Sequence, residues 1–211
     1  MSRRLLLVLT AGAFAAAGLF TSGAAKATTA ASSTPNGGAC QLQGTANFAS
    51  PGLTTSSSSF TYGFTGSLSG CQSNNTGAPT SGTVSAGSPI TISGTTYQEP
   101  PATGTGSCAN SSTSGVSVTQ WAGGTYTVVK YTTTGAGALV ALQGTVVSNV
   151  TVSGPNGTTY TITTNEASTP VGANALGELT FSTSNPTGIT ACNSGGLTQA
   201  VINGFIEIGQ S

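Results

Sequence analysis

Apolar and polar residues alternate in short runs from residue 40 onward, which is the period of β-strands. The alternation is clearest at Phe60, Tyr62, Phe64 and Leu68, which share one parity and therefore one face of a strand. Turn sequences such as Pro155-Asn156-Gly157 separate the runs, and no ten-residue segment has sustained helical periodicity. Ten strands are predicted: Gln41–Phe48, the run around residues 60–68, Thr83–Ser93, Thr95–Glu99, Gly115–Trp121, Thr125–Thr133, Ala138–Val152, Thr158–Thr164, Leu176–Ser182 and Gln199–Ile208.

About ten short strands joined by turns, without helical crossovers, are typical of an all-β antiparallel fold. We predict a β-sandwich of the immunoglobulin-like or jelly-roll-like kind, with a closed barrel as the alternative. The predicted single domain comprises residues 39–211. Residues 28–38 have no large apolar side chain and are predicted to be a flexible lead-in.

The first 27 residues are predicted to be a signal peptide. Arg3 and Arg4 form a basic start, and Leu5 to Phe20 form an apolar stretch that is too rich in Ala and Gly for a convincing membrane span. Small residues in Ala25-Lys26-Ala27 indicate cleavage before Thr28. General secretion and twin-arginine export both remain open. We expect a secreted protein, free or associated with the cell wall, without a membrane span in the mature chain.

Charge is almost absent from the predicted mature chain. It contains one Lys and four Glu, for a net charge of −3, and no Asp or His. Without His and Asp, neither the common catalytic triads nor the usual metal sites can be assembled, and one Lys cannot neutralise a run of nucleic-acid phosphates. We therefore predict no catalytic residue, no metal, no cofactor and no nucleic-acid partner. With so few titratable groups, stability is expected to vary little between about pH 3 and pH 9.

Four cysteines in an exported chain predict two disulfides, with three possible connectivities. If successive strands alternate in direction, all four thiols lie at one end of the domain. Cys40 and Cys71 then bracket a single hairpin, so their pairing is the first choice, which leaves Cys108 with Cys192.

The register of that hairpin raises a difficulty. A pairing that keeps the core on one face sets Leu42 opposite Leu68, and this leaves Cys71 one residue out of register with Cys40. A β-bulge near Gly66 or Gly70 would reconcile the disulfide with the core.

Paired carboxylates are the only familiar catalytic device that this composition permits, as in a glycoside hydrolase with two Glu. Glu178 and Glu207 are predicted on outward strand faces, and Glu99 and Glu166 in solvated turns. No spacing signature links any two of them. We predict that the protein is not an enzyme, with a Glu-dependent glycoside hydrolase as the second alternative.

Lys130 lies in the middle of a predicted strand, where two roles are open. Some adhesins of Gram-positive bacteria form an internal isopeptide bond between a strand Lys and an Asn through a buried Glu, and Asn203 with Glu207 would be the partners of Lys130 here. Alternatively, an exposed Lys protects a sheet edge against pairing with another chain. We favour the second role because the sequence motifs of those adhesins are absent.

Three aromatic residues could form a surface on which sugars stack: Trp121, Tyr126 and Tyr131. Trp121 lies at a strand end beside a Gly-Gly turn, which suits either a binding surface or a cap over the core.

Four stretches resemble a group of small secreted Ser/Thr/Gly-rich proteins of actinobacteria, namely Cys40–Phe48, Phe60–Gly66, Gly70–Gln72 and Tyr131–Gly137. The resemblance implies export and an all-β fold, and it transfers no function and no site. We expect a non-enzymatic structural or interaction domain of the cell envelope or extracellular space. Its partner would be cell-wall polysaccharide or another envelope protein, and the first alternative is a carbohydrate- or cell-wall-binding module.

Overall fold

The described part of the chain consists mainly of β-strands. The computed structural model describes residues 37–56, 58–182, 192–193 and 195–209. The predicted signal peptide (1–27) lies outside the described residues, as does the lead-in (28–38) except for its last two residues. The prediction of an all-β antiparallel fold is confirmed. Thirteen strands occur within the described ranges: β1 (Gly38–Phe48), β2 (Ser58–Ser73), β3 (Gly82–Ala86), β4 (Pro89–Ile92), β5 (Thr95–Gln98), β6 (Ala102–Gly106), β7 (Asn110–Trp121), β8 (Tyr126–Ala136), β9 (Leu139–Val147), β10 (Asn149–Ser153), β11 (Thr159–Thr163), β12 (Asn174–Ser182) and β13 (Gln199–Gly209).

Three strands account for the difference from the ten predicted. The run Thr83–Ser93 divides into β3 and β4, and the run Ala138–Val152 divides into β9 and β10. The third, β6, was missed because Ala-Thr-Gly-Thr-Gly contains no large apolar residue. The packing of β6 comes from the neighbouring strand β2, because the Phe60 ring of β2 lies over Gly104 of β6.

The main sheet closes on itself. Its order is β1-β13-β12-β9-β8-β7-β3-β2, and β1 pairs with β2 to complete a ring of eight positions. The short strands β3 and β6 both lie between β2 and β7, one beyond the other along those strands. The fold is therefore a closed barrel and not clearly the two-sheet sandwich that we predicted. Closure removes the free edges that an open sheet would expose.

Two apolar cores hold this arrangement. Alternate residues of the barrel strands point inward and form the first core, which includes Leu42, Phe64 and Ile202. A second sheet, of order β11-β10-β5-β4, covers the outside of β7 and β8. There Val118 and Val128 point outward from the barrel and pack against the second sheet's side chains. No helix in the described ranges is long and apolar enough to cross a bilayer.

The disulfides have the predicted pairing, Cys40 with Cys71 and Cys108 with Cys192. Leu42 lies opposite Leu68, and the register shifts between residues 39 and 41 of β1. Gly70 has a positive φ of 58° at this shift, so the bulge predicted from the cysteine spacing is present.

The expectation that all four thiols lie at one end was wrong. Cys40 lies at the start of β1, whereas the Cys108 amide donates to the Thr54 carbonyl in the loop beyond the end of β1. The two bridges therefore lie at opposite ends of the barrel. The argument from alternating directions failed because β3 and β6 both run antiparallel to β2 and so share one direction, while the β4–β5 hairpin between them belongs to the second sheet.

Candidate ligand-binding face

The outer surface of four neighbouring barrel strands carries hydroxyl side chains in register. These positions alternate with inward-facing residues, so each strand presents a small polar group at every second residue. One row, defined by strand pairing, runs through Thr61, Thr103, Ser114 and Thr132. The next row runs through Ser59, Thr105, Ser112 and Thr134. Neighbouring hydroxyl-bearing residues are about 4.8 Å apart across the strands and about 7 Å apart along them.

Two shallow concavities occupy this surface. The first has a volume of about 980 Å³ and is bounded at one side by the loop of residues 49–52. The second has a volume of about 800 Å³ and extends over β8, β9 and β12. Both are lined by Thr103, Ser114 and Thr132, so they form one continuous surface. We call this surface the hydroxyl face.

Lys130 lies in the second concavity. Its side chain is exposed on the outer face of β8. Amide and hydroxyl residues of the adjoining strands line the same concavity, namely Gln143, Thr145 and Asn174. The hydroxyl face is therefore uncharged across β6 and β7 and positive at β8.

The three aromatic residues predicted for sugar stacking do not form an exposed surface. Trp121 is 5% exposed, and its indole Nε1–H donates to Thr127 Oγ1 over 2.8 Å, so it caps the core as in the alternative role. Tyr131 is 6% exposed inside the barrel. Tyr126 is half-buried and packs against the second core. Apolar burial of these rings outweighed their suitability for a surface.

A chain of hydroxyls crosses the barrel interior. The Tyr62 hydroxyl lies 2.7 Å from the Tyr131 hydroxyl and 3.0 Å from Thr113 Oγ1, which in turn lies 2.7 Å from Thr133 Oγ1. Burial raises the pKa of both tyrosines, so both stay neutral. An internal cavity beside this chain has a volume of only about 90 Å³, well below the roughly 300 Å³ of the smallest typical ligand sites. We regard it as part of the core.

Glu99 is not the solvated turn residue that we predicted. It is 1% exposed, and its carboxylate accepts hydrogen bonds from Ser85 Oγ (2.7 Å) and the Ser88 amide (3.1 Å). Burial raises the pKa of Glu99 to about 7, and the two hydrogen bonds only partly oppose this. The Pro-Pro sequence after it suggested a turn, but nothing in the local sequence shows that Ser85 and Ser88 contact this carboxyl group.

Glu166 is also more constrained than predicted. It is half-buried, and its carboxylate accepts from Thr125 Oγ1 (2.6 Å) and from the Ser168 amide (2.9 Å) and hydroxyl (2.7 Å). Partial burial tends to raise the pKa of Glu166, but the hydrogen bonds from Ser168 and Thr125 lower it below its ordinary value. This carboxylate therefore organises the loop after β11.

Glu178 and Glu207 lie on the outer faces of adjacent strands. Glu178 is opposite Phe205, and Glu207 is opposite Leu176, so the two carboxylates are diagonal neighbours. Neither lines either concavity of the hydroxyl face. Phe205 and Leu176 are more than half exposed and occupy the other diagonal.

The structure does not bring together the three residues considered for an isopeptide bond, Lys130, Asn203 and Glu207. Lys130 is on β8, whereas the other two are on β13, with β9 and β12 between them. Three strand spacings correspond to roughly 14 Å. The edge-protection role also fails, because β8 pairs with β7 on one side and β9 on the other.

We found no family model, curated protein or solved structure significantly similar to this chain.

Proposed function

We propose that the protein is a non-enzymatic extracellular binding domain whose hydroxyl face binds polysaccharide of the cell envelope. The observation that carries the proposal is the pair of aligned hydroxyl rows within one continuous concave surface. This proposal keeps the interaction role expected from the sequence and replaces the aromatic residues with Ser and Thr as its binding groups.

Hydroxyl side chains suit a polyhydroxylated partner because each supplies one donor and two acceptor positions. A single hydrogen bond contributes only about 0.5–1.5 kcal/mol net, because water competes for both partners. Useful affinity on such a surface therefore needs many repeated contacts. A polysaccharide provides them, since its sugars repeat along one chain and binding of one unit raises the effective concentration of the next.

The disulfides and the predicted signal peptide both support an extracellular location. Both disulfides indicate a non-reducing compartment, and every cysteine is paired in the described ranges. The predicted signal peptide agrees with this. We propose that the protein is secreted and retained at the cell wall.

The positions of the carboxylates favour binding over hydrolysis. A glycosidase needs two carboxyl groups on either side of the scissile bond. Glu99 and Glu166 are occupied by internal hydrogen bonds, and Glu178 and Glu207 lie away from both concavities. The glycoside hydrolase alternative therefore has less support than a binding domain.

A pair of matched double variants tests the proposal. Thr103→Val with Thr132→Val replaces two hydroxyls by methyl groups and keeps the β-branched shape. Thr151→Val with Thr161→Val makes the same change at an exposed cross-strand pair of the second sheet. In sedimentation assays with purified cell wall, xylan and dextran, we expect the first variant to bind at least one of these about tenfold more weakly than the native protein. The second variant should bind like the native protein.

Equal binding by both variants would contradict the proposal. So would a loss of wall binding in Phe205→Ser without any loss in the Thr103/Thr132 variant, because it would place the contact on the β12–β13 surface and indicate a different partner. Retention of all variants on the wall after its polysaccharides have been stripped would likewise count against a polysaccharide ligand.

A further inference from the structure

Lys130 is unusual for its position in the barrel. Lys is depleted in strands, and its usual use at a sheet edge does not apply to a strand that is paired on both sides. It is the only cationic side chain in the described ranges. A charged residue in the middle of an otherwise neutral face therefore needs another explanation.

No carboxylate of the described residues offers that explanation. Glu99 and Glu166 accept hydrogen bonds from Ser and Thr instead of pairing with a cation. Glu207 is three strands from Lys130, and Glu178 is two strands away and displaced along β12. Within the described ranges, the Lys130 ammonium faces solvent without an ion-pair partner.

The surroundings of Lys130 match a ligand that is both hydroxylated and acidic. Gln143 and Asn174 supply amide donors and acceptors on the next two strands, and Thr145 supplies a hydroxyl. Leu176, about half exposed, adds an apolar surface at the rim. An ammonium is a compact charge with three donors, which suits the oxygens of a phosphate or carboxylate.

We propose that Lys130 and its amide neighbours form an anion subsite, so that the preferred ligand is an acidic glycopolymer. This inference rests on the proposed function of the hydroxyl face and specifies its substrate class. Neutral sugar units would occupy the β6–β7 part of the face, and the oxyanion of an adjoining unit would contact the Lys130 ammonium. The anion is a phosphodiester in a polyol phosphate or a carboxylate in a polyuronate, and both chemistries fit the subsite.

The experiment compares the native protein with Lys130→Gln and Lys130→Arg. Gln keeps hydrogen-bonding capacity without the charge, and Arg keeps the charge. Affinity electrophoresis is run with poly(glycerol phosphate), with polygalacturonate and with neutral dextran. We expect Lys130→Gln to bind at least one acidic polymer about tenfold more weakly, as for loss of a hydrogen bond to a charged group. Lys130→Arg should retain most of that binding.

Salt provides a second measurement. Binding of the native protein to the acidic polymer should weaken as sodium chloride rises above physiological ionic strength, and the Lys130→Gln variant should be less sensitive. The polymer that shows both effects identifies the anion as phosphate or carboxylate.

The two proposals fail separately. Unchanged acidic-polymer binding in Lys130→Gln overturns the anion subsite, whether or not neutral glycans bind. A Lys130-dependent interaction that is indifferent to the Thr103/Thr132 substitutions keeps the subsite and overturns the hydroxyl face. Absence of binding to all three polymers by the native protein overturns the subsite. Circular dichroism of each variant checks that the exposed substitution leaves the fold intact.

Discussion

At the scale of single residues, Glu99 is the group whose environment differs most from its sequence-based expectation. A carboxyl group with 1% exposure and two hydrogen-bond donors, but no cation, is held largely in its neutral form up to about pH 7. The composition, with four Glu and no His or Asp, indicated that stability would hardly depend on pH. Burial of one carboxyl changes that expectation.

Stability should therefore fall as pH rises between about 4.5 and about 7. Below this range Glu99 is protonated in both states, and the stabilisation is complete. Within it the unfolded chain loses its proton first, because the folded pKa is the higher one. The total loss is about 3 kcal/mol, as expected for a shift of this size. Denaturant unfolding of the native protein at several pH values measures it. Glu166, with its lowered pKa, acts oppositely and only at more acidic pH.

Glu99→Gln should remove most of this dependence, because Gln resembles the neutral carboxyl at every pH. The variant should then be more stable than the native protein at pH 8 and similar to it at pH 4. Glu178→Gln is the matched control on an exposed strand face, with an expected change within about 0.5 kcal/mol. A native protein equally stable at pH 5 and pH 8 would refute the assignment of a buried neutral carboxyl.

At the scale of elements, two pairs of strands depend on aromatic rings that lie over glycines. Gly44 of β1 lies opposite Gly66 of β2, and the Phe64 ring covers both. The Phe60 ring covers Gly104 of β6 in the same manner. Each ring occupies the space that a side chain would otherwise fill, so the inner face of the sheet stays packed at these glycines.

Gly44→Ala should be strongly destabilising for this reason. Its new Cβ would overlap the Phe64 ring and lie 2.5 Å from the Thr65 carbonyl oxygen, which belongs to the backbone and cannot rotate away. We expect a loss of about 2 kcal/mol or more in the free energy of unfolding. Gly123→Ala is the control, because its Cβ would meet open space. Equal stability of the two variants in urea unfolding would show that the ring does not constrain β1.

Strand prediction was most accurate where large apolar residues alternate. The Phe60–Leu68 run lies within β2, and the predicted bulge follows from the conflict between cysteine spacing and core register. Prediction failed at β6, where Gly104 stands at an inward position and its packing comes from Phe60 of another strand. The hydrophobic periodicity of one strand cannot reveal that its glycine is covered by a side chain from another strand.

At the scale of the whole molecule, the disulfides fasten opposite ends of a closed barrel. Cys40–Cys71 joins β1 to β2 across a 31-residue separation, and Cys108–Cys192 spans 84 residues. In the chain-entropy description, the longer loop restricts the unfolded chain more. With only weak surface electrostatics available to a chain of this charge, these bridges should contribute a large part of the stability.

Removing the bridges one at a time tests this. Cys108→Ala with Cys192→Ala should lower the free energy of unfolding by about 1 kcal/mol more than Cys40→Ala with Cys71→Ala. Each variant should also be clearly less stable than the native protein, by several kcal/mol. Denaturant unfolding without reductant gives both values. The reverse order, or stability unchanged by reductant in the native protein, would contradict the account.

The sequence alone determined the all-β class and the register of the first hairpin, and it gave the observed disulfide pairing as the first choice among three. Each follows from local alternation or from the spacing of a few rare residues along one or two strands. Because the sequence contains no His and no Asp, a Ser-His-Asp triad cannot be built from the residues of this chain.

Only the tertiary structure decided that the sheet closes, that the disulfides lie at opposite ends, and which polar residues are buried. Closure depends on β1 pairing with both β2 and β13, which are far apart along the chain, and no local pattern encodes that choice. The pairing of β2 with β6, β6 with β7 and β7 with β8 aligns Ser and Thr residues of these four strands into the hydroxyl face. A Thr on a strand has the same sequence signature whether its hydroxyl joins the interior chain, as Thr113 does, or faces solvent, as Thr132 does. Which of the two occurs depends on whether the residue faces the inside or the outside of the closed barrel.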